Sequence, residues 1–461
     1  MVNVDVVLRN GTVVTEAATL PLDIAVRDGR IVSLFTRGER PYHTEEQLDM
    51  TGLHILPGVV DPHVHFGDQD QSAFEDFDTG TRAAAAGGVT TVLDMPLNLP
   101  PTVDAATFRA RRAAIERHAL VDVGLWAGLV PGNRSELPRM AALGAVAFKA
   151  FTCEAADWFH VDDDDLLEGM RAASRLGLPV GVHCENNAIV TAARARLRAE
   201  GRRDLAAHAA SRPEVAEWEA IARVTLLARV SGAVTQVVHI STAEGVDTVW
   251  SARQAGARVA AEVTMHHLTL DDEDAACIGS YAKCAPPLRP RRQVDALWRR
   301  VLDGRVQSVG SDHSPATVAQ KDLTRQEHWD APDGVTGVQT LLPLLLSEGV
   351  HARGLSLERV ASLTAANPAR MFGLYPRKGA IQIGGDADFA VVDMRRRWTL
   401  TPDLLFYKWP WSPHMGWEFQ GRVVRTMVRG RTVYLDGGIV ATPGWGAFLS
   451  PTSAPPSATT P

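Results

Sequence analysis

The sequence predicts an α/β protein, a TIM-type (β/α)8 barrel carrying a small β-sandwich built from both termini. Three observations point there. Eight short apolar runs alternate with helical stretches through the middle of the chain. The two ends are rich in strand patterns instead. No glycine-rich phosphate turn follows the first run, which argues against an open doubly wound sheet. A length of 461 residues suits one large barrel with a smaller companion.

Taken in order, VDVVLRNGTVV and LDIAVRDGRIVSLF each set an NG or DG turn between alternating apolar residues, a hairpin pattern. The same style returns in DADFAVVD and GRVVRTMVRGRTVYLDGGIV. Residues 1–55 and 375–445 are therefore assigned to the sandwich and 56–374 to the barrel. Residues 446–461, ending in SPTSAPPSATTP, offer little apolar surface and are expected to be disordered. The barrel runs are HILPGVVDPHVH (54–65), VTTVLDMP (89–96), VDVGLWAGL (121–129), AVAFKAF (145–151), PVGVHCE (179–185), VTQVVHIS (234–241), ARVAAEVTMHHL (257–268) and VQSVGSDHSP (306–315). Helical stretches lie between them, among them 79–88, 164–177 and 214–232. The acidic run Asp162 to Asp165 suits the N-terminus of the second of these helices.

Composition narrows the function classes. Forty-seven basic against 54 acidic residues leave a net charge of −7, so neither nucleic acid nor an anionic membrane is expected as a partner. Four cysteines without a CxxC pair read as reduced thiols. The N-terminus lacks a signal-peptide pattern and no apolar run reaches membrane-spanning length, so a cytoplasmic location is expected.

The C-terminal ends of the runs carry the chemistry, because in such a barrel they open on one face. They present His63 and His65, Lys149, His183, His239 and Asp312. In HxH the period of a strand turns both imidazoles the same way. Imidazole and carboxylate are the ligands expected for zinc or a similar divalent cation. His266 and His267 also end a run but are assigned to packing or to supporting the ligands. Lys149 lies in an apolar run, where burial favours the neutral amine. A neutral amine can take up carbon dioxide to form a carbamate able to bridge two cations; the alternative is a snorkelling lysine. Asp312 reads either as a ligand that also carries a proton or as a turn aspartate before Ser314 and Pro315.

PGVVDPHVHF, AAAAGGVTTVLDMPLN, FKAF, VHCEN, VVHIS, CAPPLR, GSDHSP and LTAANPARMFGLYPRKGAIQIGGDADFAVVD together resemble the cyclic amidohydrolases: allantoinases, dihydroorotases, hydantoinases and dihydropyrimidinases. The likeness spans about residues 5 to 440. It implies two divalent ions, zinc first with cobalt, manganese or iron as alternatives, and N6-carboxylysine at Lys149. It also implies ligands at His63, His65, Lys149, His183, His239 and Asp312, and a homotetramer or homodimer. MPLN, LPPT and GSDHSP are most similar to allantoinases, implying ring opening of allantoin to allantoate. The alternative is another cyclic amide or imide, as in hydantoinases and dihydropyrimidinases; a non-catalytic scaffold ranks below both, because all six ligand positions are filled. Where dihydroorotases carry an arginine after HxH, this chain has Gly67, so a neutral cyclic amide is expected. The motifs imply substrate contacts at Asn98, Cys284, Arg289 and His313. Two segments depart from the family pattern: GDQDQSAFEDF (67–77), and KWPWSPHMGW (408–417), read as packing between the two domains, with a lid or a subunit contact as the alternative.

Overall fold

The computed structural model describes residues 2–67, 72–154, 160–323 and 328–452. Eight parallel strands form the barrel in sequence order: β1 (Val59–Val64), β2 (Val89–Asp94), β3 (Asp122–Gly128), β4 (Ala147–Phe151), β5 (Val180–His183), β6 (Thr235–Val237), β7 (Val259–Thr264) and β8 (Ser308–Gly310). A bridge between Val64 and His313 links the first strand to the segment after the eighth, and His65 donates its backbone N–H to the His313 carbonyl at 2.7 Å. The strands are buried on both sides, as near-continuous Val, Ala and Leu content requires of a parallel sheet under helices.

The crossover helices include Phe77–Ala86, Asp163–Leu176 and Glu214–Ser231, within two residues of the sequence expectation. The acidic run does cap: the Asp162 carboxylate accepts from the Asp165 N–H at 2.8 Å.

The strand-rich ends form two larger sheets, with a two-stranded pair, Val2–Asn3 and Tyr42–His43, beside them. One orders Gly438–Ile439, Arg431–Leu435, Glu418–Val428, Phe389–Thr399, His54–Pro57, Thr12–Val14 and Thr19–Leu20. The other orders Arg30–Thr36, Leu22–Arg27, Val6–Arg9 and Glu46–Asp49. Leu8, Ile24, Ile55, Phe389 and Met427 fill the space between them.

Three details differ from the sequence reading. The DG turn makes a true hairpin, Leu22–Arg27 against Arg30–Thr36, but the NG turn does not. Asn10 takes a φ of 62° and the chain passes from one sheet to the other, with the Asn10 N–H held by Asp23 at 2.8 Å. The first run, 54–65, contains two strands: His54–Pro57 belongs to the sandwich, β1 begins at Val59, and Gly58 separates them. A Cβ at Gly58 would run into the Thr90 side chain. Lastly, the tail is structured through its first residues. Phe448–Leu449 pairs with β3, Leu449 is fully buried, and the Phe448 ring meets Phe108 edge-on. Residues 453–461 of the expected disordered tail lie outside the described residues.

Candidate functional site

All six strand-end residues line one pocket of about 290 Å³ at the C-terminal mouth of the barrel. Lys149 sits in register between Gly128 and Gly181 on the flanking strands. A Cβ at Gly181 would stand 2.5 Å from the Trp126 ring, whose indole N–H reaches the Pro62 carbonyl at 3.1 Å. The small residues thus leave room for one large side chain beneath the site. His239 and Asp312 hold φ angles of 39° and 47°, a left-handed conformation that non-glycine residues adopt only when their surroundings enforce it.

Two groups of donor atoms form. His63 Nε2 and His65 Nε2 each lie 3.2 Å from Asp312 Oδ1. His183 Nδ1 faces His239 Nε2 at 3.0 Å. The charge of Lys149 is felt at His65, His183, His239 and Asp312, so its amine stands among both groups.

Protonation favours metal binding. Burial pushes His65 down to about 4 and holds His183 and His239 below the ordinary imidazole range, so these rings are neutral at pH 7. Burial opposes ionisation of Asp312, but His63 and His65 hold its carboxyl well below the usual range. Burial draws Lys149 down to about 8 against the pull of Asp312 and Glu262.

The donor set fits a pair of divalent cations on an observation independent of any likeness. His63 Nε2 and Lys149 Nζ are buried polar atoms without a hydrogen-bond partner. Leaving such atoms unsatisfied is costly, and a cation is the partner that imidazole nitrogens and a carboxylate share.

Carboxylates outside the predicted set orient the rings. Glu262, fully buried in the apolar run of β7, accepts from His63 Nδ1 at 2.9 Å and leaves Nε2 facing the pocket. Glu185 accepts from His183 Nε2 at 2.7 Å, leaves Nδ1 facing His239, and is itself paired with Arg212. Asp61 accepts from the Ser311 and His63 backbone N–H groups, with burial raising its pKa to about 7. The signal for Glu262 was available, since a charge inside VAAEVT demands a partner.

Among the four expected substrate contacts, Cys284 alone lines the pocket. Asn98 is fully buried, its amide donating to the Pro96 carbonyl at 2.7 Å and Thr102 Oγ1 at 3.1 Å and accepting from Arg111 Nε at 3.0 Å; Leu97 faces the pocket instead. Arg289 points into the scaffold, donating to Ser241 Oγ at 2.9 Å and the Arg212 carbonyl at 2.6 Å. His313 is fully buried, accepting from the Gly337 N–H at 3.1 Å and packed against Phe66 and Tyr407. His266 and His267 share the Thr264 hydroxyl and His267 reaches the Pro286 carbonyl at 3.1 Å, the supporting role expected of them.

The two unusual segments touch each other. The Lys408 ammonium pairs with Asp76 at 2.8 Å and the Trp409 indole donates to the Ala73 carbonyl at 2.8 Å. The Trp411 indole donates to the Ala316 carbonyl at 2.9 Å. Residues 408–411 therefore brace the loops at the barrel mouth rather than only filling space between domains. Residues 68–71 of the 67–77 segment lie outside the described residues.

Comparison with known proteins places the chain among relatives of one family. Residues 54–433 match the model of the amidohydrolase family. An allantoinase of Rubrobacter xylanophilus is 45% identical over 97% of this chain and 98% of its own length. One from Deinococcus radiodurans is 39% identical over 98% and 100%. The solved L-hydantoinase (dihydropyrimidinase) from Arthrobacter aurescens superposes with a TM-score of 0.95 at 33% identity, covering 97% of this chain and 100% of that one. The family match over most of the chain and the near-full-length likeness lead to one conclusion: the chain belongs to the amidohydrolase family.

Proposed function

We propose that this chain hydrolyses the ring amide of allantoin to give allantoate. It would do so with two divalent cations held by His63, His65, Lys149, His183, His239 and Asp312, with zinc the first choice and Lys149 carboxylated. The observation that carries the reading is the meeting of six donor side chains from five separate strand ends in one pocket. The full-length likeness to allantoinases supports the choice of ring.

Cations bound there would supply Lewis acidity, polarising the ring carbonyl and acidifying water. The chain's own groups do the rest. Neutral Lys149 adds to carbon dioxide through its amine nitrogen and releases a proton, turning a cationic position into an anionic one. Asp312, ionised beside three imidazoles, accepts the proton of the attacking water and returns it to the departing ring nitrogen. Phe74, Leu97, Phe151 and Pro315 give the pocket an apolar rim that limits stray water. Gly67 offers no cationic partner for an anionic ring.

The test is a set of ring-opening assays with zinc, cobalt or manganese supplied. The expected order of kcat/KM places allantoin first and dihydroorotate last, with hydantoin and dihydrouracil between. A tenfold preference for hydantoin or dihydrouracil would overturn allantoin in favour of the hydantoinase reading, which the structural likeness keeps in view. Metal analysis should return two ions per chain; one ion with full activity would refute the paired site. A cytoplasmic homotetramer or homodimer completes the proposal, the assembly being checked by light scattering.

A further inference from the structure

We infer that Asp333 selects the substituent carried by the substrate ring, its carboxylate accepting N–H groups of a ureido-type side chain and turning away anionic ones. The inference rests on the ring-hydrolysis reading and names what that pocket prefers.

Apart from the six metal-binding candidates, Asp333 is the one charged side chain among the described residues that line the pocket. The rest of the wall is Phe74, Leu97, Phe151, Cys284, Ala285, Pro315 and Pro332, with Ser314 and glycines. A ring whose carbonyl sits at the histidines has to send its substituent toward this wall. There a carboxylate, paired on its far side with the Lys283 ammonium, can act as a selective acceptor in a wall that is otherwise mostly apolar.

The carboxylate is held ready. Its Oδ1 is buried, 3.1 Å from the Lys283 ammonium and 3.8 Å from His208 Nε2. The side chain is 26% exposed and Oδ1 is covered, which leaves Oδ2 as the accessible oxygen of a residue that lines the pocket. Burial would raise the Asp333 carboxyl, but Lys283, His208 and Arg212 keep it well below the usual carboxylate range, so the acceptor is charged at working pH. The turn is pinned as well. The Lys321 ammonium donates to the carbonyls of Pro332 at 2.8 Å and Gly334 at 2.9 Å. Gly334 takes a φ of +119° and packs against Ser314, where a Cβ would stand 2.5 Å from its hydroxyl. An acceptor with so little freedom loses little entropy on binding.

The experiment compares kcat/KM on allantoin, on unsubstituted hydantoin and on hydantoin-5-acetic acid for the wild type, Asp333→Asn and Asp333→Glu. The allantoin-to-hydantoin ratio should fall about 10- to 100-fold in Asp333→Asn, the scale of a lost charge-assisted hydrogen bond. The ratio for the anionic ring should rise. Asp333→Glu keeps the charge and the partner Lys283, so it should retain more of the allantoin preference. Because a ratio cancels any general loss of activity or folding, an unchanged ratio in both variants overturns the inference. Wild-type protein that opens hydantoin without preferring allantoin also overturns it while leaving ring hydrolysis standing. Wild type inactive on every ring overturns the underlying reading and this inference with it.

Discussion

Lys149 enters a pocket of imidazoles with its amine buried and unpartnered, and burial draws its pKa to about 8. The neutral amine is the form that takes up carbon dioxide, so its share rises with pH up to that value and levels above it. Reactivation of metal-stripped protein, at fixed dissolved carbon dioxide, should therefore quicken about tenfold per pH unit below 8 and flatten beyond; a pH-independent rate would refute the carbamate. Lys149→Ala should lose metal and turnover together, with partial return on adding a short carboxylic acid. Glu262→Gln should weaken metal binding by about 10- to 100-fold, because His63 loses the carboxylate that fixes its tautomer. Metal titration with activity measured at saturating metal separates that effect from a folding defect. The six strand-end residues were legible in the sequence because strand period and barrel topology together fix where such side chains go. Asn98, Arg289 and His313 were not, because closeness in sequence to a motif does not say which way a loop side chain turns. In each case the side chain meets a demand of the scaffold: Pro96 and Thr102, Ser241, or the Gly337 N–H.

Among the elements, the barrel runs were readable as strands, and the helices between them announced their own starts, as Asp162 shows. Turn chemistry was less reliable. NG and DG look alike in sequence, yet only the DG turn joins neighbouring strands. The NG turn is diverted because Asp23 and Asp49 hold Asn10 from other strands. The short tail strand was illegible for a different reason: two apolar residues, Phe448 and Leu449, are too few to stand out beside a Pro- and Ser-rich end. A chain ending at Trp445 should lose the burial of both and melt earlier, by an amount equivalent to about 3 kcal/mol or more. Thermal unfolding monitored by circular dichroism checks this; an unchanged midpoint would mean that the tail only decorates the barrel.

Across the whole molecule, barrel and sandwich are joined by a buried charge cluster. The Lys378 ammonium lies 2.5 Å from Asp122 at the start of β3, 2.6 Å from Asp388 and 2.9 Å from Asp386, while Arg429 also pairs with Asp122. These three carboxylates could suggest a cation site, but the lysine already supplies the cation. Lys378→Met should cost about 3–5 kcal/mol by stranding buried charge. Burial raises Asp388 even with Lys378 present, so without that lysine the folded state favours the protonated carboxyl. A group raised in the folded state loses its contribution as pH climbs, so the deficit should widen from pH 5 to pH 8. Chemical denaturation at several pH values tests the sign. Metal content in the folded fraction should stay near that of the wild type, since the cluster sits at the opposite end of β3 from the pocket.

Gly58 gives the junction between the domains a further meaning. A sandwich strand ends at Pro57 and a barrel strand, with His63 as its last residue but one, begins at Val59. One residue, wedged against Thr90, leaves no slack for the two bodies to swing apart. Entry and exit of small molecules then fall to the rim segments braced by Lys408, Trp409 and Trp411, so turnover should respond to changes in that brace and stay indifferent to anything that stiffens the seam.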